Sequence, residues 1–337
     1  MSLSSPSRAW WIALLALSLA ACGTPADEPD ADTDAVADTD VQADALDTAE
    51  EVTGADADDV EDAADDADAE DAEPPHIPVN GFRVVFFDVG QGDAILVQTG
   101  TGESLLVDGG PSSDRLKDRL KRLGVENVDV LVATHTDADH VGGLPAALGL
   151  FNFGEIWWNG ETSGTQVFKD FQAAVLAEEA PINVAKRGDT IELGNFPMTV
   201  LNPGPNSEGG NNASVVLSFG CPGARVLLTG DAEFVAEDDM TMADVLEDVD
   251  ILKVSHHGAN SATSKAFLDI VKPELGILSV GTVNAFDHPT PETVARLEDA
   301  GVELWRTDVT DGDDSLELVT DCETPFTVQR LGSGIER

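Results

Sequence analysis

From residue 82 onward the chain is written as short apolar blocks separated by glycine and polar residues. The first three blocks, 82–88, 94–98 and 104–107, are too short for helices and are broken by Gly90-Gln91-Gly92-Asp93 and by residues 99–103. Blocks this close together predict antiparallel hairpins. The pattern then changes period. Residues 114–123 place Leu116, Leu120 and Leu123 on one side of a helix that Gly124 stops. Strands are predicted at 128–133, 156–158, 191–193, 198–201, 215–219, 225–228, 251–254, 275–280, 302–307 and 315–319. Helices are predicted at 145–150, 166–179, 240–246, 264–270 and 291–299. Hairpins followed by alternating strands and helices, in two halves, predict a layered α/β fold with sheets inside and helices outside. In both halves polar residues cluster just past strand ends, where loops on a rigid scaffold converge.

The first 75 residues follow neither period. Arg8 is the only charge before Asp27, and 10–21 is almost wholly apolar. A positive start, a short apolar run and small residues before a cut site predict an export signal over 1–21. The run is too short to span a bilayer comfortably, which takes about 20 residues. Leu19-Ala20-Ala21-Cys22 resembles the lipobox of bacterial lipoproteins, which implies cleavage before Cys22 and acylation of its thiol. Gly23 stands where an inner-membrane retention signal resembles Asp, so outer-membrane or surface placement is expected. Residues 22–75 predict an extended acidic tether. From 23 onward they hold 22 acidic residues, no Lys, Arg or aromatic residue, and too little apolar area to offset the entropy of folding. The third unit, 76–337, is long enough to bury a core of its own.

The formal net charge of −46 therefore has two sources. Setting the tether aside leaves 42 acidic against 17 basic residues. That balance is unlike a nonspecific DNA-binding surface, which sets basic residues against phosphates. DNA stays open as a substrate, without an evident basic surface to hold it. Two cysteines remain after Cys22, Cys221 and Cys322. They fit either a disulfide formed after export or two buried thiols.

The chemistry concentrates in two histidine clusters. His135, Asp137, Asp139 and His140 fall within six residues after a buried strand, and Gly142-Gly143 follow. His256 and His257 are adjacent at the end of another strand. Imidazole and carboxylate together suit zinc, manganese or iron.

His135-Thr136-Asp137-Ala138-Asp139-His140 resembles the first metal motif of the metallo-beta-lactamase superfamily, and most of all the hydrolase domain of the ComEC/Rec2 competence group. The similarity extends over 82–307. It takes in Asp88-Val89-Gly90-Gln91-Gly92-Asp93, Leu106-Val107-Asp108-Gly109-Gly110, Leu228-Thr229-Gly230-Asp231, Lys253-Val254-Ser255-His256-His257-Gly258 and Asn284-Ala285-Phe286-Asp287-His288-Pro289. The resemblance implies an αββα sandwich with two divalent ions, zinc or manganese, at one edge of the paired sheets. It implies one ion on His135, Asp137 and Asp231, and a second on Asp139, His140 and His257, with Asp231 bridging. His257 is the preferred ligand of the adjacent pair, and His256 is its replacement or its support. No histidine lies between His140 and His256, where the wider superfamily often supplies one. The first site is therefore richer in oxygen, which favours manganese or a loosely held ion. Asn211 or Asn212 is a weaker ligand candidate from the polar loop. Asp139 is expected to orient the water, and His288, Asn284 and Ser255 to contact substrate or developing charge. Asp93 and Asp108 are expected to brace the loops and ligands.

The ComEC-like resemblance implies hydrolysis of a phosphodiester, as a nuclease or phosphodiesterase. Ester, lactone or beta-lactam hydrolysis is the alternative chemistry, and a non-catalytic, metal-containing surface binding protein is the alternative class. Contact with the membrane is expected through the lipid anchor alone.

Overall fold

The computed structural model describes residues 77–331 apart from 206 and 311. The expected export signal, the tether and Cys22 lie outside these residues. Two sheets face one another. The first contains β1 (Phe82–Phe86), β2 (Ile95–Thr99), β3 (Ser104–Val107), β4 (Asn127–Ala133), β5 (Asn152–Trp158), β6 (Ile182–Val184), β14 (Leu316–Thr320) and β15 (Thr327–Arg330), in the order β15-β14-β1-β2-β3-β4-β5-β6. The second contains β7 (Thr190–Ile191), β8 (Met198–Asn202), β9 (Val216–Cys221), β10 (Ala224–Leu228), β11 (Ile251–Lys253), β12 (Leu275–Leu278) and β13 (Glu303–Arg306), in the order β13-β12-β11-β10-β9-β8-β7.

Each sheet is antiparallel at one end and parallel at the other. β3 to β6 run parallel, as do β10 to β13. Parallel strands end on the same side of a sheet. The loops after β3, β4, β10, β11 and β12 carry Asp108, His135, Asp231, His257 and Ser279, and this shared polarity brings them to one edge.

The two-residue period of the strands sorts the core. Phe82, Val84 and Phe86 alternate toward the second sheet, where Phe82 meets Phe196 with ring centroids 4.9 Å apart and Phe219 at 5.5 Å. On β10, Val226 and Leu228 face this inter-sheet layer, while Leu227 faces outward with Leu252 and Leu278. That outer face is covered by Met240 of α5 (Phe234–Met242), Phe267 and Leu268 of α6 (Lys265–Val271), and Leu297 of α7 (Pro291–Asp299). Burying one such side chain stabilises by about 1.5–3 kcal/mol. On the other side, α1 (Ser113–Arg122) buries Leu116 and Leu120, and α4 (Gln166–Ala177) buries Phe168 and Phe171 beside Trp158. The short α2 (Ala138–Val141) and α3 (Leu144–Leu148) lie between them in sequence. Among the described residues no helix is long and apolar enough to cross a membrane.

Cys221, at the end of β9, and Cys322, just after β14, form a disulfide that ties one sheet to the other. It closes a loop between residues 101 apart in sequence. A loop of about 100 residues gains roughly 4.7 kcal/mol from the lost freedom of the unfolded chain.

The elements depart from the sequence pattern in three places. The helix expected at 240–246 occupies Phe234–Met242. Its first residues, Phe234 and Val235, are partly exposed, so no apolar stripe announces them, and Val245 and Leu246 reach the core from a loop instead. The ligand loop 134–140 contains the single turn α2. The two edge strands of the first sheet, β6 and β15, were not expected, because an edge strand facing water needs no alternating pattern.

Candidate metal centre

The site is assembled from five loops braced against each other. β4 ends beside Asp108, whose carboxylate accepts the Thr134 amide at 2.8 Å and the Thr134 hydroxyl at 2.6 Å. The chain then turns into α2, which sets Asp139 and His140 near the second sheet's loops. Two glycines permit this closure. A Cβ on Gly143 would lie 1.9 Å from the Gly109 carbonyl oxygen, and one on Gly92 would lie 2.1 Å from that of Asp139. Asp231 follows β10, and its amide donates to the Ser214 hydroxyl at 3.1 Å.

His256 and His257 carry the strongest local signal. Both have left-handed backbone angles, φ 46° and 53°, in consecutive non-glycine residues. Such residues cost about 1–3 kcal/mol each and persist where surrounding structure imposes them. Here the consequence is that two adjacent side chains reach one carboxylate. His257 Nε2 lies 3.5 Å from Asp231 Oδ1, and His256 Nε2 lies 3.7 Å from Asp231 Oδ2.

Asp231 therefore has two faces. Its Oδ1 is 3.2 Å from His140 Nε2 as well as near His257, and His257 Nε2 is 3.4 Å from Asp139 Oδ2. Its Oδ2 is 3.9 Å from His135 Nε2, which lies 3.7 Å from Asp137 Oδ2. One ligand atom from each of Asp139, His140, Asp231 and His257 falls within 4.8 Å of all the others. Two tetrahedral ligands bound at about 2.0–2.2 Å stand roughly 3.3–3.6 Å apart. The Oδ1 group fits that spacing, and the Oδ2 group is wider.

The hydrogen bonds behind the ligands orient them. His257 Nδ1 lies 2.8 Å from the Ser279 carbonyl oxygen, and His140 Nδ1 lies 2.7 Å from Asp108 Oδ2. Both partners only accept, so Nδ1 carries a proton, and Nε2, facing Asp231, is the nitrogen that a metal would take. The Thr134 hydroxyl gives its proton to Asp108, so His135 Nδ1, at 3.0 Å, donates to Thr134. His256 Nδ1 lies 3.0 Å from Glu233, which also accepts from the Ser261 hydroxyl. The Nε2 atoms of His135, His140 and His257 and Oδ1 of Asp231 are buried and have no hydrogen-bond partner. Buried polar atoms left unpaired together require an explanation, and a cation supplies one. This donor set fits divalent ions.

The electrostatics agree. Burial works against charge on His257, yet the Asp231 charge and the close Asp139 carboxylate push its pKa up to about 9. His140 is raised well above its usual value by Asp231 and Asp108, against its burial. Burial opposes the ionised form of Asp139, but the close His257 imidazole and the His140 charge bring it down to about 2. Asp231 is likewise lowered, against its burial, by His140 and His257. Without metal the imidazoles hold protons against these carboxylates, and a metal ion must displace them.

A second acidic group, Asp93 and Asp108 with His140, lies alongside. Asp108 is engaged, and Asp93 already faces a cation of the chain itself. The fully buried Lys253 ammonium stands 2.8 Å from Asp93 Oδ2, and Asp108 holds His140 and Thr134. Both carboxylates brace the centre.

The remaining candidates divide. His288 reaches the site. Its ring meets His256 edge-on at 5.4 Å, and burial together with the neighbouring His256 and His257 lowers its pKa. Ser255 and Asn284, expected to contact substrate, also brace the backbone. The buried Ser255 hydroxyl donates to the Ala232 carbonyl at 2.5 Å. Asn284 donates to the Gly281 and His288 carbonyls and accepts the His288 amide. Asn211 Nδ2 lies 3.4 Å from His256 Nδ1 on the side away from Asp231, and Asn212 accepts the Glu233 and Ala236 amides at the start of α5. Asp93 was expected as a brace, but Glu233, Ser279 and the Lys253 partner of Asp93 were not. Glu233 lies two residues beyond Asp231, which was its one available signal, and a backbone carbonyl leaves no mark in sequence.

A family model described as the metallo-beta-lactamase superfamily matches residues 87–282. The chain is 29% identical over 247 residues to ComE operon protein 3 of Bacillus subtilis (strain 168), covering 67% of this chain and 32% of that protein. It is 31% identical over 243 residues to Competence protein ComA of Neisseria gonorrhoeae, covering 70% of this chain and 32% of that protein. The chain thus spans about a third of the length of these curated relatives. A solved structure of Igni18, a metallo hydrolase from the archaeon Ignicoccus hospitalis, aligns with 15% identity and a TM-score of 0.47, over 70% of this chain and 98% of that one.

Proposed function

The chain belongs to the metallo-beta-lactamase superfamily, and from that premise we propose that it is an exported metallo-hydrolase that cleaves a phosphodiester at a two-ion centre. The observation that carries this reading is the bridging position of Asp231, with Oδ1 turned to His140 and His257 and Oδ2 turned to His135 and His256. His135, Asp137 and His256 would hold one ion with Asp231, and Asp139, His140 and His257 the other. Bound there, a pair of divalent ions supplies positive charge for the attacking and leaving oxygens and acidifies water.

The side chains do the rest. Asp139, with its pKa near 2, is ionised at neutral pH and accepts the hydrogen bond that orients the attacking water. His288, held toward its neutral form beside His256, donates a hydrogen bond to a phosphoryl oxygen. Asp108, Ser279 and Glu233 keep the imidazoles aimed. Motif similarity to the ComEC group and the two competence relatives favour a phosphodiester, and the mixed imidazole and carboxylate ligand set suits zinc or manganese. Export is supported by the apolar segment 10–21 and by the Cys221–Cys322 disulfide, which persists in oxidising compartments. Cys22 is the proposed lipid-bearing residue.

The test is turnover of bis-(p-nitrophenyl) phosphate, single-stranded DNA and a lactone by metal-free protein reloaded with manganese or zinc. Hydrolysis of a diester is expected. Turnover of the lactone with neither diester cleaved would overturn the phosphodiester reading.

A further inference from the structure

The loop from 281 to 289 is pinned to the metal-bearing loops at several points. Asn284 closes it on itself through hydrogen bonds of 3.1, 2.9 and 2.9 Å to Gly281 and His288. The Gly281 amide donates to Gln91 Oε1 at 3.4 Å, and a Cβ on Gly281 would lie 2.5 Å from the Gln91 nitrogen. Just past the loop, the Thr290 amide donates to the Gly258 carbonyl at 2.9 Å. The loop presents Val283 at 89% exposure and Phe286 at 64%.

Phe286 is not loose. Its ring stacks on His288 with centroids 5.7 Å apart and planes 26° apart, and His288 in turn meets His256, whose Nε2 lies 3.7 Å from Asp231. Phe234 is also partly exposed, but the Arg296 guanidinium sits over its ring at 5.8 Å, which accounts for it. A preorganised aromatic face beside a reactive centre binds a flat apolar group with little further loss of freedom. On a phosphodiester, the flat apolar group is a nucleobase. The acidic chain, with 42 acidic against 17 basic residues beyond the tether, has little charge to hold a long polyanion, so affinity for a nucleotide has to come from stacking.

We propose that Phe286, flanked by Val283, is the base-binding wall of the site and selects phosphodiesters that carry a nucleobase next to the scissile phosphate. This rests on the phosphodiester reading above. Two esters with the same leaving group test it, thymidine 5′-(p-nitrophenyl phosphate) and ethyl p-nitrophenyl phosphate, with the metal-loaded full chain. The thymidine ester is expected to be the better substrate. Phe286→Ala should raise its KM about tenfold, the effect of losing one base–aromatic stack, with metal content unchanged and a clearly smaller loss on the ethyl ester. Phe286→Trp should retain the preference, and Val283→Ala should weaken it in the same direction but less.

No preference of the unaltered protein for the thymidine ester, or an equal loss on both esters in Phe286→Ala, would overturn the subsite and leave the hydrolase reading intact. If neither ester is cleaved, the phosphodiester reading falls. Calorimetric binding of thymidine 5′-monophosphate against inorganic phosphate then decides the subsite: nucleotide affinity lower in Phe286→Ala supports it, and equal affinity in both proteins rejects it.

Discussion

The two sides of Asp231 are built differently. On the Oδ1 side, His140 and His257 are buried, and each is held from behind by an acceptor that only accepts, Asp108 or the Ser279 carbonyl. Separations there are 3.2–3.5 Å. On the Oδ2 side separations are 3.7–3.9 Å, Asp137 is 56% exposed, and His256 leans on a surface glutamate. One carboxylate thus joins a closed site to an open one. Closed sites hold an ion through prepaid ligand geometry, whereas open ones leave room for water and substrate. The expected result is two ions of unequal affinity, with the exchangeable one beside His288 and Phe286.

The comparison breaks most completely at the bridge. Asp231→Ala removes the ligand common to both sides, so metal analysis should find neither ion and turnover should fall at least about 10³-fold. Retention of one tightly bound ion would show that the two sides do not share it. The next largest effect separates them. His257→Ala should empty the closed side, while His256→Ala should leave about one ion per chain and lose the weaker one. Equal losses in the two variants would refute the asymmetry. Smaller still is the effect of support. Asp108→Asn should weaken the tight ion by about 10–100-fold, the usual cost of an outer hydrogen-bond partner, and leave the weak one nearly unchanged in a chelator competition.

The finest probe is protons. His257 has a pKa of about 9 in the metal-free fold against 6.5 ordinarily. A raised histidine pKa favours folding fully below 6.5, and that contribution is lost as pH rises through 9. Metal-free protein should therefore lose thermal stability between pH 6.5 and 9, and metal-bound protein should not. At pH 8, metal binding should release about one proton from His257, seen as a buffer-dependent calorimetric heat. No proton release would place the imidazole in its neutral form beforehand.

The legible part of the site was where its candidate ligands would fall. His135, Asp137, Asp139, His140, Asp231 and His257 all lie just past apolar strands, and the fold gathers them on one edge. The illegible part was what each polar neighbour does. Ser255 and Asn284 stand in the same motifs as the histidines, yet their hydrogen bonds go to loop backbone. Glu233 and Ser279 lie outside those motifs and hold the histidines. A hydrogen bond depends on where a group points, and spacing along a chain does not encode that.

Period and composition were enough to determine the layered α/β class and the strand ends that carry the candidate ligands, whereas the oxygen-rich first site expected from sequence gains His256 in the fold. The class and the strand ends are local properties, set by which residues alternate and which interrupt them. Tertiary structure alone decided that Cys221 meets Cys322 across the sheets, that two adjacent histidines straddle Asp231, and that one side of that carboxylate is closed while the other is open. Each of these depends on loops from two sheets packing against each other, with left-handed backbone at residues 256 and 257 that packing has to impose.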